Sequence, residues 1–113
     1  MTAPVADRLL AAFASSDVDA LRALCRDDVV VFGTDAGERW AGLGELGPAL
    51  EAMRELELEA SWTAPPAGGE SWAAGIARYS GARMDPVDVR VTFAFDAGGQ
   101  LAHAHFSVEA PVA

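Results

Sequence analysis

Hydrophobic residues recur along this chain with two periods, and the switch between them falls near residue 57. Before it, apolar positions return every three to four residues, as on one face of an α-helix. After it they alternate, as on one face of a strand. A chain that places its helices in the first half and a run of strands afterwards folds as α+β. Its 113 residues suffice for one core, so a single domain over 1–113 is expected.

The helical half divides in three. Val5, Leu9 and Phe13 are spaced i, i+4, i+8, and Ala6 and Leu10 widen that stripe. Ser15-Ser16-Asp17 interrupts it. Ser16 with Asp19 three residues later resembles a capping box, which predicts a second short helix with Val18, Leu21, Leu24 and Cys25 along one side. So short a connection makes the two a helical hairpin. Val29 to Phe32 is β-branched and aromatic, bounded by acids and a glycine, and reads as a strand. Leu43, Leu46, Leu50 and Met53 return to helical spacing. Pro48 would break the interior of that helix, so the helix is expected to start near Gly47 with Pro48 at its first position.

Four strands follow. Leu58, Ala60, Trp62 and Ala64 alternate with Glu57, Glu59, Ser61 and Thr63. The stretch 71–79 is a second strand with poor sidedness, in which Gly75 suits a bulge. In 87–95, Val89, Val91, Phe93 and Phe95 alternate with Arg90, Thr92 and Ala94. Asp96-Ala97-Gly98-Gly99 is a hairpin turn, and 101–110 returns as the fourth strand. The expected product is three helices lying on one face of a curved antiparallel sheet, a half-open cone.

Charge narrows the partners. Seventeen acids face eight basic residues, all arginine, for a net charge of −9. That field repels nucleic acid and anionic lipid surfaces. No apolar run approaches the length of a membrane span, and residues 1–10 lack the pattern of a signal peptide. The lone Cys25 fits a reducing compartment, so a cytoplasmic location is expected.

This order of elements resembles the nuclear transport factor 2-like superfamily, with its cystatin-like cone, and in particular its SnoaL-like branch. The resemblance rests on the hairpin from Phe13 to Leu24, on Asp27-Asp28-Val29-Val30-Val31-Phe32-Gly33-Thr34, on Trp40-Ala41-Gly42, and on His105-Phe106-Ser107-Val108. It implies a cone whose mouth accepts a small, largely apolar ligand and whose outer sheet face forms a homodimer. Relatives include ketosteroid isomerases, polyketide cyclases, epoxide hydrolases and dehydratases, besides proteins without catalysis. Ketosteroid isomerases place a carboxylate base near the end of the first strand and a carboxylic acid in an oxyanion hole. By the resemblance those positions fall on Gly33 and Val91, which carry no ionisable group, so that mechanism is not expected here.

The residues themselves nominate few groups for chemistry. Asp35 and Glu38 follow the first strand where a mouth would open, and either suits a general base if buried. Arg78 faces inward if Trp72 and Ile76 do, and Tyr79 is the one phenol available to a ligand oxygen. His103 and His105 share one face of the last strand. The opposite face, Ala102, Ala104, Phe106, Val108 and Ala110, is apolar and must be inner, so the imidazoles point away, beside Leu101, Ser107 and Glu109. With no third histidine, no metal is expected, and no motif calls for a cofactor.

Three functions follow as expectations. The first is binding of a small apolar or hydroxylated organic molecule in a pocket lined by Phe13, Phe32, Trp40, Met53, Trp62, Val91 and Phe106. The second is an isomerase, cyclase or hydratase acting on a small ketone or polyketide-like compound. The third is a homodimeric module that associates through Arg90, Thr92, His103, His105 and Ser107.

Overall fold

Helix α1 (Ala3–Ser15) buries Ala6, Leu9, Leu10 and Phe13, the stripe that the spacing predicts. The computed structural model describes residues 3–109. α1 closes in a Schellman turn: the Asp17 N–H reaches the Ala12 carbonyl at 2.9 Å, and the Ser16 N–H reaches Phe13 at 3.3 Å. Ser16 takes the left-handed conformation this turn requires, φ 56°, and its side chain is buried. It is therefore not the cap of α2 (Val18–Leu24), as the capping-box pattern suggested. Asp17 caps that helix, its Oδ1 accepting from the Ala20 N–H at 3.1 Å. Cys25, expected on the helix, is the first residue of β1 (Cys25–Phe32).

A hairpin joins β1 to β2 (Arg39–Ala41), and α3 (Leu43–Met53) follows at once. Gly42 makes that junction: its φ is 86°, and a Cβ there would lie 3.2 Å from the Asp27 carbonyl oxygen. α3 starts four residues before the expected Gly47, so Pro48 sits inside the helix after all. The proline removes the hydrogen bond to the Gly44 carbonyl, but Gly44 and Pro48 both face water, which can solvate that group. Leu46 and Leu50 hold the other side in the core.

After a 3₁₀ turn (Arg54–Leu56) come β3 (Glu59–Trp62), the two-residue β4 (Ala67–Gly68), β5 (Trp72–Gly81), β6 (Met84–Phe95) and β7 (Leu101–Val108). Ala110, expected to extend the last strand, lies outside the described residues. β3, β5, β6 and β7 form the expected antiparallel meander. The sheet continues beyond it: β1 lies parallel to β7, and β2 forms that edge, in the order β2-β1-β7-β6-β5-β3. The sheet is thus mixed, not antiparallel throughout, and it does not close. α1 packs against β3 and β5, α2 against β1, and α3 against β1 and β2. Phe13 joins the layers, its ring centroid 5.0 Å from Phe106 and 6.1 Å from Phe93.

Two strands face differently from expectation. On β5 the inner residues are Ala73, Gly75, Ala77 and Tyr79, while Trp72 and Arg78 are exposed. The large side chains misled because this wall is filled from β3: a Cβ on Gly75 would sit 3.1 Å from the Trp62 ring. On β7 the pairing slips between Phe95 opposite Leu101 and Ala94 opposite His103. One residue, Ala102, is absorbed there as a bulge. Leu101 is therefore buried and not beside the histidines on the outer face.

Candidate functional site

The concave face is apolar along its length, and its cover thins toward one end. On β7, Ala104 is fully buried, Phe106 is 8% exposed, and Val108 is 49% exposed. Val108 lies opposite the buried Val89 of β6, so it belongs to the inner face. It also lies beyond the last residue of β7 that β1 covers, His105 opposite Phe32. Val89 stands opposite Ala77 on β5, and Ala77 opposite Trp62 on β3. Val108, Val89, Ala77 and Trp62 therefore form one cross-strand row reaching from the uncovered end to the far wall.

The expected pocket residues divide. Phe13, Val91 and Phe106 are buried on the concave side, and Trp62 edges Phe93 at 6.4 Å with the ring planes at 85°. Trp40 lies opposite Val31 and packs against the core. Met53 is half-buried at the end of α3 and is not among the described side chains packed on that core. Phe32 is on the wrong face. It stands opposite His105 and Arg39, with ring centroids 5.4 Å from His103 and 5.8 Å from His105, and the Arg39 guanidinium 6.0 Å above it. Alternation on β1 gives Val29 and Val31 to the core and leaves Phe32 outside.

The four candidates for chemistry also divide. Arg78 lies on the outer face in a two-point pair with Asp88 (2.9 and 3.2 Å), which holds the Asp88 carboxyl below its usual range. Asp35 is exposed in the β1–β2 loop. Glu38 is half-buried, and its Oε1 accepts from the Asp35 N–H at 2.9 Å. Its backbone pairs with Gly33, which puts it on the same side of the hairpin as Trp40. A Cβ on Gly33 would sit 2.5 Å from Glu38 Oε1, so this carboxylate fills the space above the glycine. Tyr79 faces inward, opposite Val87 and Ala60, and burial pushes its phenol well above the ordinary value.

Arg90, Thr92, His103, His105 and Ser107 share the outer face. Arg90 pairs with Glu109 at 3.0 Å. Cys25 is buried and its thiol is raised to about 12 by desolvation, which makes it inert. Among the described residues no three His, Cys, Asp or Glu side chains come together as metal ligands, and no helix is long and apolar enough to cross a membrane.

Two features escaped the sequence reading. One is the exposed Val108 at the end of a row that is otherwise buried or half-buried, which only the sheet register reveals. The other is the Trp62 indole Nε1, which is buried with no hydrogen-bond partner. No local pattern signals an orphaned donor, because it depends on what packs over it.

A family model described as the SnoaL-like domain matches residues 3–111. No curated protein matches the chain in sequence. Among solved structures, a provisionally named ketosteroid isomerase from Kribbella flavida superposes with a TM-score of 0.82 at 12% identity, covering 99% of this chain and 80% of the other. A provisionally named isomerase of the SnoaL-like family from Agrobacterium tumefaciens gives 0.80 at 12% identity, covering 97% of this chain and all of that one. A SnoaL-like protein of unknown function from Burkholderia thailandensis gives 0.73 at 19% identity, covering 95% and 92%. At these identities the likeness is one of fold, the cystatin-like fold named for a further neighbour from Silicibacter pomeroyi.

Proposed function

The chain belongs to the SnoaL-like domain family, and on that premise we propose that it binds a small, largely apolar organic molecule at the uncovered end of the cone. One observation carries this reading: an inner-face valine, Val108, stands 49% exposed in line with buried apolar residues. A solvent-facing apolar step leading into a core suits an apolar guest. The test is a thermal-shift screen of apolar and hydroxylated compounds. A ligand at a hundred times its Kd adds about 2.7 kcal/mol, a Tm rise of roughly 10 °C at this size. A broad panel that leaves Tm unmoved defeats the proposal.

A catalytic reading has a separate observation behind it. The position at which the resemblance expects a base is Gly33, yet the Glu38 carboxylate occupies the space above it. An isomerase or cyclase of this shape would draw its base from the hairpin partner instead of from β1, acting on a neutral ketone. Neighbours named for such activities, including a provisionally named polyketide cyclase from Sinorhizobium meliloti, fit that reading. Exchange of α-protons of small ketones into deuterated water, abolished in Glu38→Gln, is the expected result. Exchange that survives Glu38→Gln removes the assignment.

Association of two copies through the outer face is compatible with both. That face exposes Trp72 and half-exposes Phe32, and it pairs Arg78 with Asp88 and Arg90 with Glu109 within itself. Two such faces can meet with little charge repulsion despite the net −9. Light scattering that reports a monomer at micromolar concentration excludes it.

A further inference from the structure

Building on the binding reading above, we propose that the Trp62 indole N–H is the donor that orients the bound molecule, so that the preferred ligand carries a hydrogen-bond-accepting oxygen such as a ketone or ester carbonyl.

Three features of the wall support this. The indole lies over Gly75, whose missing side chain makes room: a Cβ there would be 3.1 Å from Cε3 and 3.1 Å from Cζ3. Those atoms belong to the benzo edge of the ring. Nε1 lies on the opposite edge and is therefore turned away from the β5 backbone. Phe93 meets the ring edge-on at 6.4 Å, and with the Gly75 backbone it sets the ring's orientation before any ligand arrives.

No described group is hydrogen-bonded to Nε1. The described inner face of α1 presents Ala6, Leu9, Leu10 and Phe13, none with an acceptor side chain. The neighbouring inner residues of β5 and β6 are alanine, glycine, valine and phenylalanine, with Tyr79 the exception, and its phenol makes no hydrogen bond with Nε1. Nε1 is buried and unpartnered, a state that folded proteins rarely tolerate without a reason. The other such atom among the described residues, Ser16 Oγ, belongs to the turn that ends α1.

The register connects this donor to the proposed entrance. Trp62 stands in the row Trp62–Ala77–Val89–Val108. Three strand spacings separate its ends, about 14 Å measured along the sheet. Because the sheet is curved, the distance across the concave side is shorter. A ligand lying along the row would keep apolar contact with Val89 and Val108 and direct one oxygen at Trp62. An acceptor there gives Nε1 the hydrogen bond that no described protein group supplies. That favours it over an isosteric hydrocarbon by about five- to tenfold beyond their difference in hydration.

The experiment uses a matched pair, acetophenone and α-methylstyrene, in which C=O is replaced by C=CH2. Both are titrated into the ¹⁵N-labelled protein and into Trp62→Phe, which keeps an aromatic ring and removes the donor. The three indole N–H signals are assigned with Trp62→Phe and single variants at Trp40 and Trp72. The expected result is a downfield shift of the Trp62 N–H with acetophenone and none with α-methylstyrene. The affinity ratio of the pair should fall five- to tenfold in Trp62→Phe. If both compounds bind with no downfield shift and an unchanged ratio, the donor assignment is wrong while the binding reading stands. If neither binds and the wider panel also fails, both are wrong. Should Trp62→Phe not fold, the N–H shift in the unaltered protein decides alone.

Discussion

Ser16 is the least comfortable residue in the described chain, and relieving it should stabilise the protein. It combines a left-handed backbone, φ 56°, with a side chain 1% exposed whose hydroxyl has no partner. Ser16→Ala removes the hydroxyl and keeps the strain. A buried unsatisfied polar group costs about 1–3 kcal/mol, so the alanine variant should gain about 1 kcal/mol, the low end. Ser16→Gly also relieves about 1–2 kcal/mol of left-handed strain. Against that it forgoes about 0.8 kcal/mol of packing for one carbon, and glycine's chain entropy costs about 0.5–1 kcal/mol. Those further terms nearly cancel, so both variants are expected to be more stable by about 1 kcal/mol and close to each other. Urea denaturation should show a higher midpoint at unchanged slope, and Tm should rise by roughly 3–5 °C. A loss of stability in Ser16→Ala refutes the reasoning, because it means the hydroxyl has a partner such as a bound water. A loss in the glycine variant alone refutes the left-handed assignment.

Other expectations follow from the same geometry. Val108→Asp should abolish the ligand-induced Tm rise while leaving the free protein's Tm within about 2 °C, since half-exposed surface sites tolerate substitution; an undiminished ligand response would place the binding site elsewhere. Gly33→Ala should destabilise the chain by about 1–3 kcal/mol through overpacking against Glu38. Glu38→Ala should recover much of that loss, and additivity of the two changes in urea melts would show that the side chains do not meet. At alkaline pH stability should fall, because the folded state holds two protons more tightly than the unfolded chain. The loss begins near the ordinary thiol value of 9.0 for Cys25 and near 10.0 for Tyr79, and continues toward their raised folded values. Cys25→Ala and Tyr79→Phe should each flatten the pH slope of stability over its own range, and a slope unchanged in both variants would contradict their burial as free acids.

Elements whose two faces meet different media were legible from sequence. The α1 stripe and the alternation of Val89, Val91, Phe93 and Phe95 on β6 both reappear as buried positions. Facing failed where a strand's partner decides it. β5 carries its bulky residues outward because Trp62 of β3 fills the wall above Gly75, and no window on β5 alone contains that fact. Leu101 moved inward because pairing slips beside the Asp96–Gly99 turn. Asp96 Oδ1 accepts there from the Gly98 and Gln100 N–H groups, a turn geometry that composition names only loosely. Phe32 misled because β1 has β7 as a parallel neighbour, a pairing between residues some seventy apart. The histidines were placed correctly for a simple reason: the residues alternating with them on β7 include Ala104 and Phe106, which the core claims.

The same partition of faces limits what the cone can hold. Its inner strand residues carry no formal charge between Ala73 and Tyr79 on β5 or between Val87 and Phe95 on β6. The charged side chains of those stretches lie outside, Arg78 against Asp88 and Arg90 against the Glu109 that follows β7. An ionised guest entering from the Val108 end would shed water and find no counter-charge on those walls, which is prohibitive for a small site. A neutral guest loses only the hydration of its polar atom, which the proposed contact with the unpartnered Trp62 Nε1 would replace. Any proton transfer would then have to occur near the rim, where Glu38 still reaches water, or at Tyr79, whose burial keeps it an acid and not a base. On the reading proposed above, recognition on the β3 wall is separated from any chemistry on the β1–β2 side, and a molecule that used both would have to span the cone.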